Sequence, residues 1–362
     1  MNKERISGTQ LKNLMIQFIL GSTLLAGGVN FVSNDLWLAV VIAILAAVPV
    51  LLMYGRLCSM HRDKDIYDLF YDSLGKTAGF IFTLLFLLFS LYLSAAVLRN
   101  LTEFVQLAFF PDTPQYVVAI FTGITVLYSV KKGIEVMARG VSYVVYIIIG
   151  LLLITISLSV KDMDVRNLFP LFSNNPKQIY DEVILHLSFP YLETVMFTSI
   201  TPSLNRTDSP YKSYIYSLLI SGAVLLLLYL RNLLVLGAYV MKNVYYPAYI
   251  TISLINIADF ITRIEVIVTI NYVFCVVLKV TICILSACKA LCKVTKVKDY
   301  KVYGTPCVLF TIFFSAIIFE DTMDMFNTLL YSRYAFLFFQ VFMILVTYLF
   351  TEYKFRKNKV KN

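Results

Sequence analysis

Long apolar runs alternate with short polar segments along the whole chain. Runs of about 18 or more apolar residues recur, which is typical of helices that cross a bilayer. The pattern predicts an all-α membrane protein with ten transmembrane helices. The predicted spans are Thr9–Phe31, Leu36–Met53, Ala78–Leu107, Tyr116–Val130, Val141–Val160, Val183–Leu204, Ser213–Met241, Ile264–Ala290, Thr305–Phe319 and Leu329–Phe350.

Two predicted spans are interrupted, one by Gly21-Ser22-Thr23 and the other by Pro190. In lipid every backbone N–H and C=O needs a partner, so such breaks are tolerated only inside protein or against a polar cavity. When the ten spans are divided into two halves of five, a broken helix comes first in each half. Because each half has an odd number of spans, the second half crosses the membrane in the opposite orientation to the first. The sequence therefore predicts a single domain over residues 1–362, with inverted repeats over about 9–160 and 183–350 and broken helices 1 and 6.

Composition excludes a water-soluble globule, because 59% of residues are hydrophobic and 15% are charged, against roughly 25% charged residues in soluble domains. The net charge of +9 has a topological explanation that does not involve nucleic acid. With a cytoplasmic N-terminus, 22 Lys and Arg residues fall in inner segments, six in outer segments and three inside spans. This asymmetry predicts that both termini are cytoplasmic.

Corresponding breaks in the two halves indicate a substrate site. At the first break, Gly leaves helical geometry cheaply, hydroxyls cap freed groups, and exposed N–H groups favour a carboxylate. At the second, proline frees carbonyl groups that could accept an ammonium. The two together predict a receptor for a zwitterion such as an amino acid, with two kinked, close-packed helices as the alternative. The residues concerned are Gly21, Ser22, Thr23, Phe189, Pro190, Tyr191 and Glu193.

Two charged residues lie deep in predicted spans, where ionisable groups are functional candidates. Glu193 is expected to bind an ammonium, carry a proton or hold the broken helix to its neighbour. Lys279 is expected to be paired, neutral or directed at a cavity, and ion or proton coupling through these two residues is a hypothesis. Tyr92 and Ala96 share a helix face near mid-membrane, so Tyr92 could close over a ligand; core packing is the alternative.

Other polar residues receive structural interpretations. Arg99 and Glu103 lie one helical turn apart and are expected to neutralise each other. His186 is expected at a solvated interface, and Arg231 has no explanation from sequence. The six cysteines are interpreted as inert. The sequence shows no catalytic, metal-binding or cofactor motif, which favours a protein that is not an enzyme.

These motifs give the chain a resemblance to a known family. Ile6-Ser7 with Gln10, Leu20-Gly21-Ser22, Phe189-Pro190-Tyr191-Leu192-Glu193, Tyr246-Pro247 and Arg263-Ile264-Glu265 resemble the spore germination permeases. These are the B subunits of spore nutrient germinant receptors, a branch of the amino acid–polyamine–organocation transporter superfamily. The resemblance covers nearly the whole chain and implies a LeuT-like fold with a ligand pocket between the first, third, sixth and eighth helices.

The resemblance also implies a function: sensing a small nutrient, usually an amino acid, in the inner membrane of a dormant spore, together with an A subunit and a lipoprotein C subunit. Many superfamily transporters have a glycine just before the sixth-helix aromatic and acid, where this chain has Pro190-Tyr191-Leu192. A proton-coupled amino acid permease is the main alternative, and a scaffold or ion channel that only docks other subunits is a third.

Overall fold

The computed structural model describes residues 4–21, 23–26, 34–172, 174–255 and 265–361. Across these ranges the chain is all-helical, with short 3₁₀ and π-helical turns between α-helices. The α-helices are α1 (Gly8–Leu20), α2 (Thr23–Ala26), α3 (Leu36–Met60), α4 (Ile66–Leu74), α5 (Lys76–Ala108), α6 (Gln115–Lys132), α7 (Ile134–Leu158), α8 (Pro176–His186), α9 (Pro210–Lys242), α10 (Pro247–Ser253), α11 (Glu265–Thr295), α12 (Gly304–Ile317), α13 (Thr322–Leu337) and α14 (Met343–Lys361).

Seven helical stretches in the described part of the chain are long and apolar enough to cross a membrane. They comprise α3, α5, α7, α9, most of α11, the stretch that ends with α12, and α13 continuing into α14 through a π-helical turn. The three other predicted spans are the two interrupted segments and α6. The interrupted segments consist of short pieces, as their glycine and proline residues lead one to expect.

Several helices extend beyond their predicted apolar limits. Helix α3 continues to Met60 where the hydrophobic pattern ends at Met53, and α7 begins at Ile134, ahead of the predicted Val141. The added turns are held by polar contacts that a hydropathy pattern does not contain. In α3, for example, Arg56 pairs with Glu352 of α14 at 3.0 Å.

The two interrupted segments are neighbours. The Ile6 N–H, just before α1, donates to the Ser203 carbonyl at 2.8 Å, and the Asn205 N–H donates to the Ile6 carbonyl at 3.0 Å. Helix α11 packs along α5 and also contacts α1 and the second interrupted segment. Residues far apart in sequence therefore converge where α1, α11 and the second break meet.

A short amphipathic helix, α4, connects α3 to α5 and packs against α5, α11 and α14. Asp65 caps it by accepting a hydrogen bond from the Asp68 N–H at 2.9 Å. The Tyr67 hydroxyl contacts the Ser286 hydroxyl of α11 at 2.7 Å. These contacts hold α4 against the end of the bundle.

Candidate functional site

The first predicted break is present in the structure. Helix α1 ends at Leu20, and Gly21 has non-helical dihedral angles of φ −11° and ψ −116°. The Thr23 hydroxyl donates to the carbonyl of Ile19 at 2.6 Å, so the hydroxyl caps a carbonyl of the interrupted helix, as predicted. Ser22, also a predicted ligand residue, lies outside the described residues.

The second predicted break is also present. Helix α8 ends at His186, a π-helical turn follows, and Phe189 has extended dihedral angles of φ −142° and ψ 109°. The chain continues as a 3₁₀ helix over Leu192–Ser199. Proline cannot supply a donor to the preceding turn, and the backbone changes direction at this point.

A side chain satisfies one carbonyl at this break. The Gln340 amide donates to the Ser188 carbonyl at 2.9 Å, and the Tyr54 hydroxyl donates to the Gln340 carbonyl at 2.7 Å. The Ser188 carbonyl therefore already has a protein donor, and the acceptance of a ligand ammonium by carbonyls at this break stays a prediction. Sequence reasoning missed Gln340, because it lies in a π-helical turn of an otherwise apolar span.

Glu193 and Lys279 form an ion pair between the second break and α11. Lys279 Nζ lies 2.5 Å from Glu193 Oε2, and both side chains have no solvent-exposed surface. Glu193 Oε1 has no hydrogen-bond partner among the described residues. A charge buried in an apolar environment is tolerated when it is paired, so this pair satisfies the sequence-based expectation for Lys279. It leaves one carboxylate oxygen with spare acceptor capacity.

The same lysine contacts the first break. A methyl group added at Gly21 would lie 2.5 Å from Lys279 Cδ and 2.7 Å from the Phe18 carbonyl oxygen. The ammonium also lies 5.3 Å from the Phe18 ring centroid and 4.6 Å from the Phe189 ring centroid. Both distances suit cation–π attraction. Lys279 thus connects the two breaks, with aromatic rings from both interrupted segments around its charge.

Three other predicted residues line a separate cavity of about 50 Å³: Tyr92 and Ala96 on α5, and Phe189. Most of its other lining side chains are apolar and come from α5, α13 and Phe319. Gly21, Glu193 and Lys279 do not line it. The structure therefore divides the predicted site into a charged pair and an apolar cavity, and Phe189 belongs to both.

Two further predicted residues are buried at the second break. Tyr191 is buried, and its hydroxyl has no hydrogen-bond partner within the described ranges. Pro190 is buried in the π-helical turn. Neither lines the cavity described above.

Three polar side chains outside the site have distinct surroundings. Arg99 pairs with Glu103 at 2.7 Å, as expected. His186 is buried and lies 5.2 Å from the Tyr229 ring, so the expectation of a solvated histidine is wrong. The guanidinium of Arg231 hydrogen-bonds to Asn232 Oδ1 at 2.6 Å and Thr155 Oγ1 at 3.3 Å.

Comparison with known proteins identifies the chain's relatives. The family described as "Spore germination protein" matches residues 5–325. Spore germination protein KB of Bacillus subtilis (strain 168) is 29% identical over 272 residues, covering 74% of this chain and 72% of its own length.

Two solved structures have the same fold. MhsT in complex with L-phenylalanine superposes with a TM-score of 0.68 at 12% identity, covering 96% of this chain and 89% of its own. Mhp1, a nucleobase-cation-symport-1 family transporter, gives a TM-score of 0.67 at 11% identity, covering 91% and 76%. At these identities the likeness shows the fold alone, and it is the LeuT-like fold that the sequence predicted.

Proposed function

The chain belongs to the spore germination protein family, and we propose that it is a membrane subunit of a nutrient germinant receptor. In this proposal it binds a small germinant, an amino acid, between its two interrupted segments. Its ligand residues are Gly21, Ser22, Thr23, Tyr92, Ala96, Phe189, Pro190, Tyr191 and Glu193, and its residues for ion or proton coupling are Glu193 and Lys279. Binding triggers germination, and the role is not enzymatic.

The observation that carries the proposal is the ion pair between Glu193 and Lys279, placed where both breaks meet. A zwitterion carries the same two charges as this pair. Its ammonium can bind Glu193 Oε1, which has spare acceptor capacity, and its carboxylate can approach Lys279 and the backbone of the first break. A ligand that makes these contacts better in one conformation of the protein than in another binds that conformation more tightly. Such a difference in affinity increases the population of the conformation that binds better.

The architecture proposed for this function is a ten-span bundle in a single domain over residues 1–362. The seven long apolar stretches supply seven spans, while α6 and the two interrupted segments supply three. The proposed inverted repeats cover about 9–160 and 183–350, and each begins with one of the two interrupted segments. Both termini face the cytoplasm, the membrane is the spore inner membrane, and A and C subunits detect the change of state.

Binding by the purified protein tests this proposal directly. The full chain in lipid nanodiscs is titrated with a panel of radiolabelled amino acids, nucleosides and sugars, alongside Glu193→Gln. We expect saturable binding of an amino acid that falls at least tenfold in the variant, because the charged acceptor is lost. Saturable amino acid binding that is unchanged by Glu193→Gln would place the ligand elsewhere. The absence of amino acid binding would overturn the proposal.

The second candidate is a proton-coupled amino acid permease. The observation that favours it is again the buried pair, because an acid and a base in contact can exchange a proton when a ligand neutralises one of them. Uptake into proteoliposomes separates the two functions. Accumulation driven by a pH gradient indicates a carrier, whereas binding without accumulation indicates a sensor.

A further inference from the structure

A larger cavity lies between α1, α6, α7 and α11, and we call it the lateral fissure. Its volume is about 470 Å³, and its lining includes Gln17, Phe121, Gly140 and Phe274. Small-molecule sites in proteins typically measure about 300–1,000 Å³, so the fissure has room for a ligand. None of the described side chains that line it is charged, and most are aliphatic or aromatic.

The lateral fissure opens on an apolar surface of the bundle. Phe121, Val136 and Phe274 line it, and each is more than half exposed. Helix α7, which forms one wall, has only 22% of its apolar stretch buried by protein. Exposed apolar side chains on membrane-spanning helices contact the lipid chains, which are as apolar as leucine. A molecule dissolved in the bilayer can therefore enter the fissure from the side.

Gln17 supplies a buried acceptor to this apolar space. Its side chain is 2% exposed, and its Nε2 donates to the Phe274 carbonyl oxygen at 3.1 Å. A backbone carbonyl can only accept, so this contact fixes which end of the amide is the nitrogen. The amide oxygen Oε1 has no hydrogen-bond partner among the described residues. A buried acceptor without a partner is unfavourable, so a bound donor would stabilise it.

Three hydroxyl groups of the lining also present oxygen acceptors. On α6, the Thr125 hydroxyl donates to the Phe121 carbonyl at 3.1 Å, and the Ser129 hydroxyl donates to the Thr125 carbonyl at 2.9 Å. On α11, the Thr281 hydroxyl donates to the Val277 carbonyl at 2.6 Å. Each hydroxyl uses its one hydrogen within its own helix and keeps acceptor capacity on its oxygen. The fissure therefore favours a ligand group that donates a hydrogen bond over one that can only accept.

The depth of Gln17 restricts the ligand further. Gln17 lies eight residues after the start of the predicted span Thr9–Phe31, which is about 12 Å along the helix axis. In a hydrocarbon core about 30 Å thick, this depth is close to the middle. The charged headgroup of a phospholipid would lose its hydration there without a partner. A single hydroxyl group carries no charge and regains a hydrogen bond at Gln17.

We propose that the lateral fissure binds a lipid alcohol from the surrounding bilayer, an uncharged lipid whose polar group is a hydroxyl. The hydroxyl donates to Gln17 Oε1, and the hydrocarbon chain packs against α6, α7 and α11. Neither Glu193 nor Lys279 lines the fissure, so the site is distinct from the ion pair and does not depend on the proposed function. The Gly21 N–H donates to the Gln17 carbonyl at 3.0 Å, so the bound lipid rests one helical turn before the first break.

Two probe lipids of matched size test the proposal. Oleyl alcohol carries the hydroxyl, whereas its methyl ether has the same chain and can only accept. The full chain in detergent micelles is titrated with each lipid, and native mass spectrometry measures the bound fraction.

Three variants accompany the titration. Gly140→Leu fills the fissure, and Gly150→Leu is its matched control. Both glycines lie on α7 at positions where an added methyl group meets nothing within 4 Å, but Gly150 does not line the fissure. Gln17→Leu removes the acceptor. If Gln17→Leu does not fold, the lipid pair and Gly140→Leu decide the outcome.

The expected result is saturable binding of one molecule of oleyl alcohol, with the methyl ether bound about tenfold more weakly because it leaves the Gln17 oxygen without a donor. Gly140→Leu and Gln17→Leu should each weaken binding of the alcohol by a similar factor, and Gly150→Leu should leave it unchanged. Equal binding of the two lipids would show non-specific association and overturn the proposal. So would alcohol binding that Gly140→Leu leaves intact, or no saturable binding, which would leave water as the occupant.

Discussion

Lys279 Nζ lies 2.5 Å from Glu193 Oε2 with both side chains fully buried, and this contact connects α11 to the second interrupted segment. Neither charge has access to water in this arrangement, so solvent does not screen their attraction. Breaking a buried pair by removing one partner costs about 3–5 kcal/mol, whereas replacing both partners with well-packed apolar groups is often nearly neutral. The pair is therefore a point at which a single substitution has a large effect on stability.

Single and double substitutions of this pair should be strongly non-additive. Lys279→Met and Glu193→Gln are each expected to lower the free energy of unfolding by about 3 kcal/mol, and the double variant should recover most of that loss. Reversible denaturation in detergent micelles measures the three values. Additive losses would show that the two charges do not depend on each other.

Gly21 should be intolerant of any side chain. A methyl group there would lie 2.5 Å from Lys279 Cδ and 2.7 Å from the Phe18 carbonyl oxygen, and the backbone oxygen cannot move without reshaping the break. Gly21→Ala is expected to lower the unfolding temperature by several degrees. Gly150→Ala on α7 is the matched control, because a methyl group there meets nothing within 4 Å. Equal thermal stability of the two variants would contradict the packing at Gly21.

The sequence predicts the two breaks because their causes are local. Gly21 permits non-helical geometry, Pro190 removes a donor, and both effects act within one turn of the chain. The partners at the breaks are not predictable in this way. Gln340 and Lys279 reach Ser188 and Glu193 from distant helices, and only the packing of the bundle decides which side chains meet. The burial of His186 is unpredictable for the same reason, since its ring packs beside Tyr229 of the distant helix α9.

Gln340 should stabilise the second break through its amide. Gln340→Leu leaves the buried Ser188 carbonyl without its donor, and an unsatisfied buried acceptor costs about 1–3 kcal/mol. The expected result is a loss of that size in the free energy of unfolding, measured by denaturation in detergent. Gln106→Leu is the control, because its amide donates to the exposed Pro111 carbonyl at 3.4 Å and accepts from Gln115 Nε2 at 2.7 Å, at partly exposed positions where water can replace both contacts. A similar small change in both variants would argue against this role.

The Arg99–Glu103 pair should contribute more than an ordinary surface pair. Arg99 also donates to the Ser315 and Ala316 carbonyls at 3.4 and 3.3 Å, and the Thr322 hydroxyl donates to Glu103 at 2.6 Å. The shorter, unforked side chain of lysine cannot reproduce these contacts. Arg99→Lys is therefore expected to cost about 1–2 kcal/mol of unfolding free energy.

The exposed pair of Arg139 and Glu135 is the control for Arg99→Lys. It has the same spacing on α7, and exposed pairs contribute about 0–1 kcal/mol. Arg139→Lys should therefore change the free energy of unfolding by a few tenths of a kcal/mol at most. Losses of the same size at both positions would mean that the carbonyl contacts of Arg99 add nothing.

Asp65 should make stability depend on pH. Burial, together with the charge of Asp68, raises the pKa of Asp65 from 3.8 to about 6, although Lys289 and Lys293 oppose the shift. Between pH 4 and 6 the folded protein then holds a proton that the unfolded chain has released. The contribution of Asp65 is therefore fully present below pH 4 and is lost as pH rises through 6. A shift of this size corresponds to about 3 kcal/mol at most.

Asp65→Asn isolates this effect, because asparagine keeps an oxygen that can accept from the Asp68 N–H and cap α4, but it does not titrate in this range. The unfolding free energy of Asp65→Asn minus that of the parent protein should increase from pH 4 to pH 7, because only the parent loses the contribution of Asp65. Titrating groups that do not interact with Asp65 are common to both proteins and cancel in that difference, so it reports Asp65 together with the neighbours it interacts with, Asp68, Lys289 and Lys293. A constant difference across this range would show that Asp65 has the same pKa in the folded and unfolded chain.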